Sequence, residues 1–351
     1  MKKFFLSLTL STLLLAIPGL AFAKDGLINS AGQWVIPAKF EFLRDATQGL
    51  YAAQTGSKFG FVNMKGQWII KPQYDHVGNF SPNGLAPVLV GTKYGYINKT
   101  GAMVIKPQFD NAGHFALNGL AEAVLNHKVG YINSKGQWVI KPQFPYIEEA
   151  TDRITDREFS TNGLAWVSVN GKNGFINAKG QYVIKPQFSY ASSFGSNGLA
   201  VARVNNKVGF INSKGQWVIK PQFEGADKFV NGLAQVYING KVNFINEKGQ
   251  IVIRTPYEEA GNFSNGLAWV LVDEQFIGYI DTKGKLVIPA IFEPSFGMYT
   301  DAGNFQANGL AWATKNGKTG FINKQGQFVI NPQYFYAQDY STNGHAVVSV
   351  E

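Results

Sequence analysis

Cysteine is absent from this 351-residue chain. Neither a disulfide framework nor a lipid-carrying cysteine is therefore available, and packing alone has to stabilise the fold. Only four histidines occur, His76, His114, His127 and His345, and none has metal-ligand spacing such as H-E-x-x-H. A G-x-S-x-G elbow and a phosphate-cradling glycine loop are also missing. We therefore expect no metal, no cofactor and no enzymatic activity.

Long apolar runs are absent except at the N-terminus. Residues 1–3 are Met-Lys-Lys, an apolar stretch follows over 4–20, and Ala-Phe-Ala occupies 21–23. This order is typical of a secretory signal peptide over 1–23, cleaved after Ala23. An uncleaved anchor is the alternative, but the stretch is shorter than the ~20 apolar residues that a span needs. We predict a periplasmic or secreted protein without stable membrane insertion after cleavage.

What the chain does contain is one unit copied many times. Residues 129–144 read VGYINSKGQWVIKPQF and return almost unchanged at 208–223 as VGFINSKGQWVIKPQF. Self-similarity at a fixed period of this length indicates a repeat architecture. We place one continuous domain at 24–351. Its nine copies are 24–58, 59–93, 94–128, 129–172, 173–207, 208–241, 242–276, 277–318 and 319–351.

Each copy predicts three short strands and no helix. Residues 60–63 and 67–70 are rich in β-branched and aromatic side chains, and the turn between them contains a glycine. Proline cannot donate to a ladder, so Lys71-Pro72 is expected to end the second strand. A third strand, such as 120–125, follows an Asn-Gly turn and leads directly into the next copy. The sequence therefore predicts an all-β fold of three-stranded antiparallel meanders that span the copy boundaries.

These copies resemble the bacterial WG-repeat family, also called KWG repeats. The shared features are a Lys-Gly turn, an aromatic residue in the following strand, and then Ile-x-Pro with another aromatic. The resemblance covers 24–351, with departures at Ala31, Ala102, Asn243 and Pro289. It implies a β-rich array in exported or surface-associated bacterial proteins, and binding rather than catalysis.

Two architectures are compatible with such an array. We expect an open, twisted stack, because a unit of ~35 residues with three strands is smaller than the ~40 to 45 residues of a four-stranded propeller blade. The alternative is a closed propeller-like ring. In that case the hairpin over 27–36 and the lone strand over 346–350 would complete one sheet and remove an edge.

The third strand suggests which face meets solvent. One alternating set of positions is almost always small or aliphatic, whereas the other accepts Glu122, Arg203 and tryptophan. A set that tolerates such variety is unlike a uniform core, so we predict that it faces solvent. The candidate ligand-binding residues are Trp166, Trp269, Trp312, Tyr237 and Arg203. The tryptophans of the second strand, at 34, 68, 138 and 217, are instead predicted to be structural.

The sequence indicates the function of the protein less directly than its architecture. The formal net charge of +9 is interpreted as spread by the repeat and not gathered into a patch. We expect a non-enzymatic binding or scaffold protein of the bacterial envelope, with a protein partner or a cell-envelope polymer and no nucleic acid. The alternative is glycan or peptidoglycan binding through exposed tryptophans. A glycosidase that uses the acidic insertion over 145–160 comes last, because a solvated charged loop explains that cluster more simply.

Overall fold

The computed structural model describes residues 23–146, 157–295 and 302–351. In these residues the chain forms thirty-three β-strands and no α-helix. No helix capable of crossing a bilayer is found in the described part of the chain. The strands form nine small antiparallel sheets arranged in a ring, and we call these sheets blades I to IX.

Six blades have four strands, which we call A, B, C and D in sheet order. Blade I has β3 (Phe42–Asp45), β4 (Leu50–Thr55), β5 (Lys58–Asn63) and β6 (Trp68–Tyr74). Blade II has β7 (His76–Val77), β8 (Leu85–Val90), β9 (Lys93–Asn98) and β10 (Met103–Phe109), and blade III has β11 (Asn111–Phe115), β12 (Ala121–Leu125), β13 (Lys128–Ile132) and β14 (Trp138–Pro145). Blade V has β18 (Tyr190–Ala191), β19 (Ala200–Val204), β20 (Lys207–Ile211) and β21 (Trp217–Phe223), and blade VI has β22 (Gly225–Ala226), β23 (Ala234–Ile238), β24 (Lys241–Ile245) and β25 (Ile251–Arg254).

The other blades complete the ring. Three of them have only strands B, C and D: blade IV has β15 (Ala165–Val169), β16 (Lys172–Ile176) and β17 (Tyr182–Phe188), blade VII has β26 (Leu267–Val272), β27 (Phe276–Asp281) and β28 (Leu286–Phe292), and blade VIII has β29 (Ala311–Lys315), β30 (Lys318–Ile322) and β31 (Phe328–Tyr334). Blade IX combines the two ends of the chain: β32 (Tyr336–Ala337), β33 (His345–Val350), β1 (Lys24–Asn29) and β2 (Trp34–Phe40).

Blade IX decides between the two predicted architectures. Strand β1 pairs antiparallel with β33 over six consecutive residues, from Lys24 opposite Val350 to Asn29 opposite His345. The prediction of an open stack is therefore wrong, and the closed ring given as its alternative is correct. Closure pairs two strand edges that an open array would expose, and the short A strand adds the fourth strand that the sequence reading missed.

The predicted three-stranded meander across each copy boundary is confirmed. Strands B, C and D of every blade combine the end of one copy with the start of the next. Strand D does not end at its proline, however, since β6 continues through Pro72 to Tyr74. Ile70 pairs with Phe61 and Tyr74 with Phe59, so a bulge opposite strand C accommodates the Lys-Pro-Gln segment. Proline is tolerated because strand D is the outer edge of the sheet and its missing N–H faces no partner.

The bulge explains the glycine of strand C. A Cβ atom at Gly60 would lie 2.3 Å from the carbonyl oxygen of Ile70. Blade VI supports this reading, because Asn243 replaces the glycine there and strand D ends early, at Arg254. The chain then leaves the sheet, with the hydroxyl of Thr255 donating to the Val242 carbonyl.

The C–D turn serves two purposes at once. Asn63 Oδ1 accepts hydrogen bonds from the amides of Lys65 and Gln67, at 2.9 and 3.1 Å. Gly66 supplies the positive φ of 69° that closes the turn. A Cβ atom there would lie 2.8 Å from Ile36 of the neighbouring blade, so the turn also packs directly on that blade.

The hydrophobic core lies between the blades and not within them. Nine clusters of buried side chains occur in the described residues, one at each junction of adjacent blades, including the junction of blades IX and I. At these junctions the strand D tryptophans make edge contacts with aromatic rings, as in Phe40–Trp68 at 5.4 Å and Phe109–Trp138 at 5.5 Å. Their predicted structural role agrees with this packing.

The ring has two different faces. Since neighbouring strands alternate in direction, the B–C turns and the D-to-A connections lie on one face, which we call the upper face. The A–B and C–D turns form the opposite, lower face. Hydrogen bonds support this arrangement: Asp75 after strand D accepts from Gly91 in a B–C turn, and Lys324 in a C–D turn donates to Asn265 in an A–B turn.

Candidate functional site

The three strand B tryptophans predicted to face solvent are buried. Trp166 is 8% exposed, Trp269 7% and Trp312 4%. The prediction of exposed aromatics is therefore wrong for them. Each blade is covered by a neighbour on both faces, so both alternating sets of strand B are packed, and variety at a position reflects what the next blade presents.

Each indole packs against a different partner. The guanidinium carbon of Arg157 lies 4.7 Å from the ring centre of Trp166. Trp312 donates a hydrogen bond to Asp339, whose pKa is raised to about 6, mainly by burial. Trp269 packs so closely on Gly261 that a Cβ atom there would lie 2.2 Å from its Nε1. These contacts are those of core side chains.

Tyr237 and Arg203 are half-buried, at the upper end of strand B. Arg203 lies opposite Tyr190 in the sheet, and its guanidinium carbon is 6.0 Å from the centre of that ring. Tyr237 packs at the edge of the core between blades VI and VII. The five predicted residues thus lie in five different blades, and the structure does not bring them into one site.

A pocket that the sequence reading missed opens on the upper face. Its volume is about 830 Å³, and it spans blades VII, VIII, IX and I. Its lining residues are Asp25, Phe42, Glu274, Gln275, Glu293, Pro294, Ser295, Thr314, Gly317, Thr319, Phe335, Tyr336, Gln338 and Ser349.

The lining combines carboxylates, hydroxyl groups and aromatic rings. It contains three acidic side chains, Asp25, Glu274 and Glu293, and its fourteen residues include no lysine, arginine or histidine. Phe335 is the most exposed ring, at 57%. Such a lining suits a ligand group that is positively charged or donates hydrogen bonds and also has an apolar part.

The fold fixes two of these carboxylates. Asp25 accepts hydrogen bonds from the Leu43 amide, at 2.8 Å, and from the Ser349 hydroxyl, although burial raises the pKa of its carboxyl. Glu293 accepts from the amides of Asn316 and Gly317, at 2.8 and 2.9 Å. Both side chains are therefore held in place before any ligand arrives.

One sequence signal would have indicated this pocket. Asp25 pairs with Ser349 across strands C and B, and Thr319 pairs with Thr314 in the same way. In blade III the equivalent pair is Val129 and Val124. Equivalent positions along the copies show three polar pairs: two belong to the adjacent blades VIII and IX, and the third is Ser168 with Asn173 in blade IV. Only ring closure brings Asp25 beside Ser349.

A second polar cluster joins blades III and IV, and its ion pair of Glu122 with Arg157 is buried. Glu122 is 2% exposed and lies 3.7 Å from the guanidinium of Arg157. Burial raises the pKa of Glu122 to about 7, although Arg157 lowers it. Nearby, His114 accepts from the Asn79 amide at 2.9 Å and contacts Glu158 at 3.2 Å.

Arg157 also corrects one expectation about the insertion of the fourth copy. The insertion was predicted to be a solvated surface element, yet Arg157 is 5% exposed and the neighbouring Phe159 is buried too. The ion pair with Glu122 and the tryptophan contact explain how the charge is accommodated. Most of the acidic cluster, residues 148–156, lies outside the described residues. Within the described ranges, no three His, Cys, Asp or Glu side chains gather as a metal site would require.

Comparison with known proteins confirms the predicted WG repeats. A family model described as "WG containing repeat" matches residues 26–59, 59–94, 94–128, 130–172, 174–207, 209–241, 244–275, 277–293, 297–318 and 320–351. The segments 277–293 and 297–318 both fall in the eighth copy, so ten matches cover nine copies. No curated protein sequence matches the chain.

Solved structures add information about the fold alone. The chain is similar to a crystal structure of the eukaryotic initiation factor, with a TM-score of 0.59, 13% identity, and coverage of 84% of this chain and 87% of that one. It is also similar to the computationally designed Ika8 protein, with a TM-score of 0.47, 10% identity and coverage of 80% and 95%. BamB from Moraxella catarrhalis gives a TM-score of 0.38, 10% identity and coverage of 88% and 96%. We infer nothing from the last two.

Proposed function

Since the chain belongs to the WG-repeat family, we propose that it is an exported, non-enzymatic binding or scaffold protein of the bacterial envelope that holds a protein partner. The family and the ring of repeats suggest a binding or scaffold role. The observation that carries the finer proposal is the pocket on the upper face. The side chains that line this pocket differ from blade to blade, whereas strands B, C and D have the same arrangement in every blade.

The geometry suits recognition more than turnover. Asp25 and Glu293 are occupied by hydrogen bonds from the protein itself, and Thr314 and Thr319 face each other with their hydroxyl oxygens 3.2 Å apart. A lysine, arginine or amide side chain of a partner protein would find additional acceptors on these carboxylates while its apolar stem contacts the rings.

The alternative of glycan binding loses its supporting observation. It relied on stacking of sugar rings against Trp166, Trp269 and Trp312, and all three are buried between blades. The export part of the proposal is supported by the sequence of residues 1–23.

Site-specific photocrosslinking tests the proposal. A photoreactive residue at Phe335, exposed in the pocket, should form one discrete protein adduct in envelope preparations of the expressing cells. The same residue at Leu117, which is 76% exposed on the lower face, is the matched control and should not form that adduct. Identical adducts at both positions, or none at Phe335, would reject a partner held at the upper face.

A further inference from the structure

Lysine recurs in the C–D turn, and ring closure places these lysines on one face of the protein. Eight of the nine copies have such a lysine, whereas the first copy has Ser30-Ala31 in this turn. In sequence these lysines are spread evenly, which is why no patch was expected. In the ring every C–D turn lies on the lower face, so the eight lysines form a circle there. They are Lys65, Lys99, Lys135, Lys179, Lys214, Lys248, Lys283 and Lys324.

These lysines are accessible to an external anion, and among them Lys324 also donates to the Asn265 carbonyl at 2.8 Å. All eight are exposed, and none of them forms an ion pair within the described residues. Lysines on the upper face differ sharply. Lys24 pairs with Glu41, Lys58 with Asp75, Lys93 with Asp110, Lys241 with Glu258 and Lys318 with Glu351.

Acidic residues are correspondingly rare on the lower face. The C–D turns contain only Glu247 and Asp281, and Asp281 accepts hydrogen bonds from the amides of Lys283 and Lys285 at 2.9 and 3.0 Å. Between strands A and B of the four-stranded blades, the described connections on this face contain three charged residues, Asp227, Lys228 and Asp339. The acidic side chains of the D-to-A connections and of the pocket all lie on the opposite face. The ring is therefore electrostatically polarised across its thickness.

The circular arrangement of these lysines indicates the shape of the anionic surface that they can contact together. A groove lined with cations would follow a linear polyanion, but cations placed around a closed circle are engaged together only by a plane. Two exposed apolar side chains in A–B turns, Leu117 and Val230, project from the same face. Basic side chains around exposed apolar ones are typical of a surface that rests on an anionic bilayer interface.

We propose that the lower face, defined by the C–D turn lysines, docks the ring onto an anionic phospholipid bilayer. This docking is peripheral and electrostatic, and it leaves the pocket on the upper face directed away from the membrane. The two sites lie on opposite faces, so the membrane proposal does not rest on the protein-partner proposal, and either can fail alone.

Vesicle flotation tests the docking. The protein starting at Lys24 contains all nine blades and omits the apolar N-terminal stretch, which would bind lipid by itself. It should float with phosphatidylcholine vesicles that contain phosphatidylglycerol, and not with phosphatidylcholine alone. High salt should release it, because exposed charges are screened. Equal flotation with both vesicle types would overturn the proposal.

Two sets of four substitutions that remove the same charge distinguish the effect of the lower-face lysines from the effect of net charge. The test set is K135Q, K179Q, K214Q and K248Q, and the control set is K71Q, K106Q, K141Q and K185Q on the outer edges of the D strands. The test set should lower the partition coefficient at least about tenfold, and the control set by no more than about twofold. The test set should fold, since Ala31, Thr100 and Gln325 already occupy its lysine position in other copies. The control set should fold as well, since Asn331 occupies the equivalent position in the ninth copy.

Two results would contradict the docking geometry. Equal losses in the two sets would mean that total charge alone drives adsorption. Binding of the protein to heparin or duplex DNA, without binding to the anionic vesicles, would assign the lysine circle to a linear polyanion instead.

Discussion

Leu27 and Val347 are cross-strand partners, although they belong to the first and the last strand of the chain. Both are buried in the cluster that joins blades IX and I. Every copy contributes the C and D strands of one blade and then the B strand, with the A strand where present, of the next, so the last blade can be completed only by the two termini. This offset of copies and blades turns a linear array into a closed ring.

Removal of strand β33 tests closure. Deletion of residues 345–351 leaves β1 paired only with β2 and exposes the core between blades IX and I. We expect a large fall in melting temperature, of about 10 °C or more, because six paired residues and several buried side chains are lost. Thermal unfolding measures this change. A truncated protein as stable as the full chain would show that closure contributes nothing.

Gly60→Ala should destabilise the ring by about 1–3 kcal/mol, because the new Cβ would collide with the Ile70 carbonyl at 2.3 Å. Gly113→Ala is the matched control. It also lies in a strand without positive φ, but its nearest neighbour would be 3.6 Å away, in ordinary contact. Urea unfolding of both variants gives the comparison. Similar losses in both would mean that the bulge does not require the glycine.

Trp312→Ala should cost about 3–5 kcal/mol of unfolding free energy, the range for a buried tryptophan. Phe335→Ala should change stability by less than about 0.5 kcal/mol, since that ring is 57% exposed. Denaturant unfolding measures both. A negligible effect at Trp312 would revive the original expectation that this indole faces solvent.

Because its carboxyl is buried, Glu122 should make the stability of the fold depend on pH in the direction opposite to that of most carboxylates. Its folded pKa is raised from 4.5 to about 7, so the unfolded chain loses this proton first as the pH rises. Its contribution to stability is thus present below pH 4.5 and declines between pH 4.5 and 7, by roughly 3 kcal/mol at most. Glu122→Gln removes that decline.

Urea unfolding of the protein and of Glu122→Gln at pH 5 and pH 8 isolates this group. The glutamine variant should gain relative stability at pH 8, because Glu122 is then charged in a buried position even with Arg157 nearby. A stability difference that is the same at both pH values would contradict the raised pKa.

The sequence by itself determined the local structure. The Asn-x-Lys-Gly-Gln turn, the meander across each copy boundary and the structural tryptophans such as Trp138 all follow from interactions within one or two copies. Such short-range signals are visible because each copy repeats them. The Lys-Pro bulge was missed, since proline in a pattern does not show whether its strand lies at an edge.

Tertiary structure decided the rest. Trp166 is buried because a neighbouring blade covers the second side of its sheet. The alternation of residues along a strand does not show whether one or both sides of the sheet are covered. The pocket at Asp25 and Thr314 exists because the ends of the chain meet, which depends on the angle between blades summed over nine copies. The same closure gathers evenly spaced lysines such as Lys135 and Lys214 onto one face, because position in the copy, and not position along the chain, fixes the face of the ring.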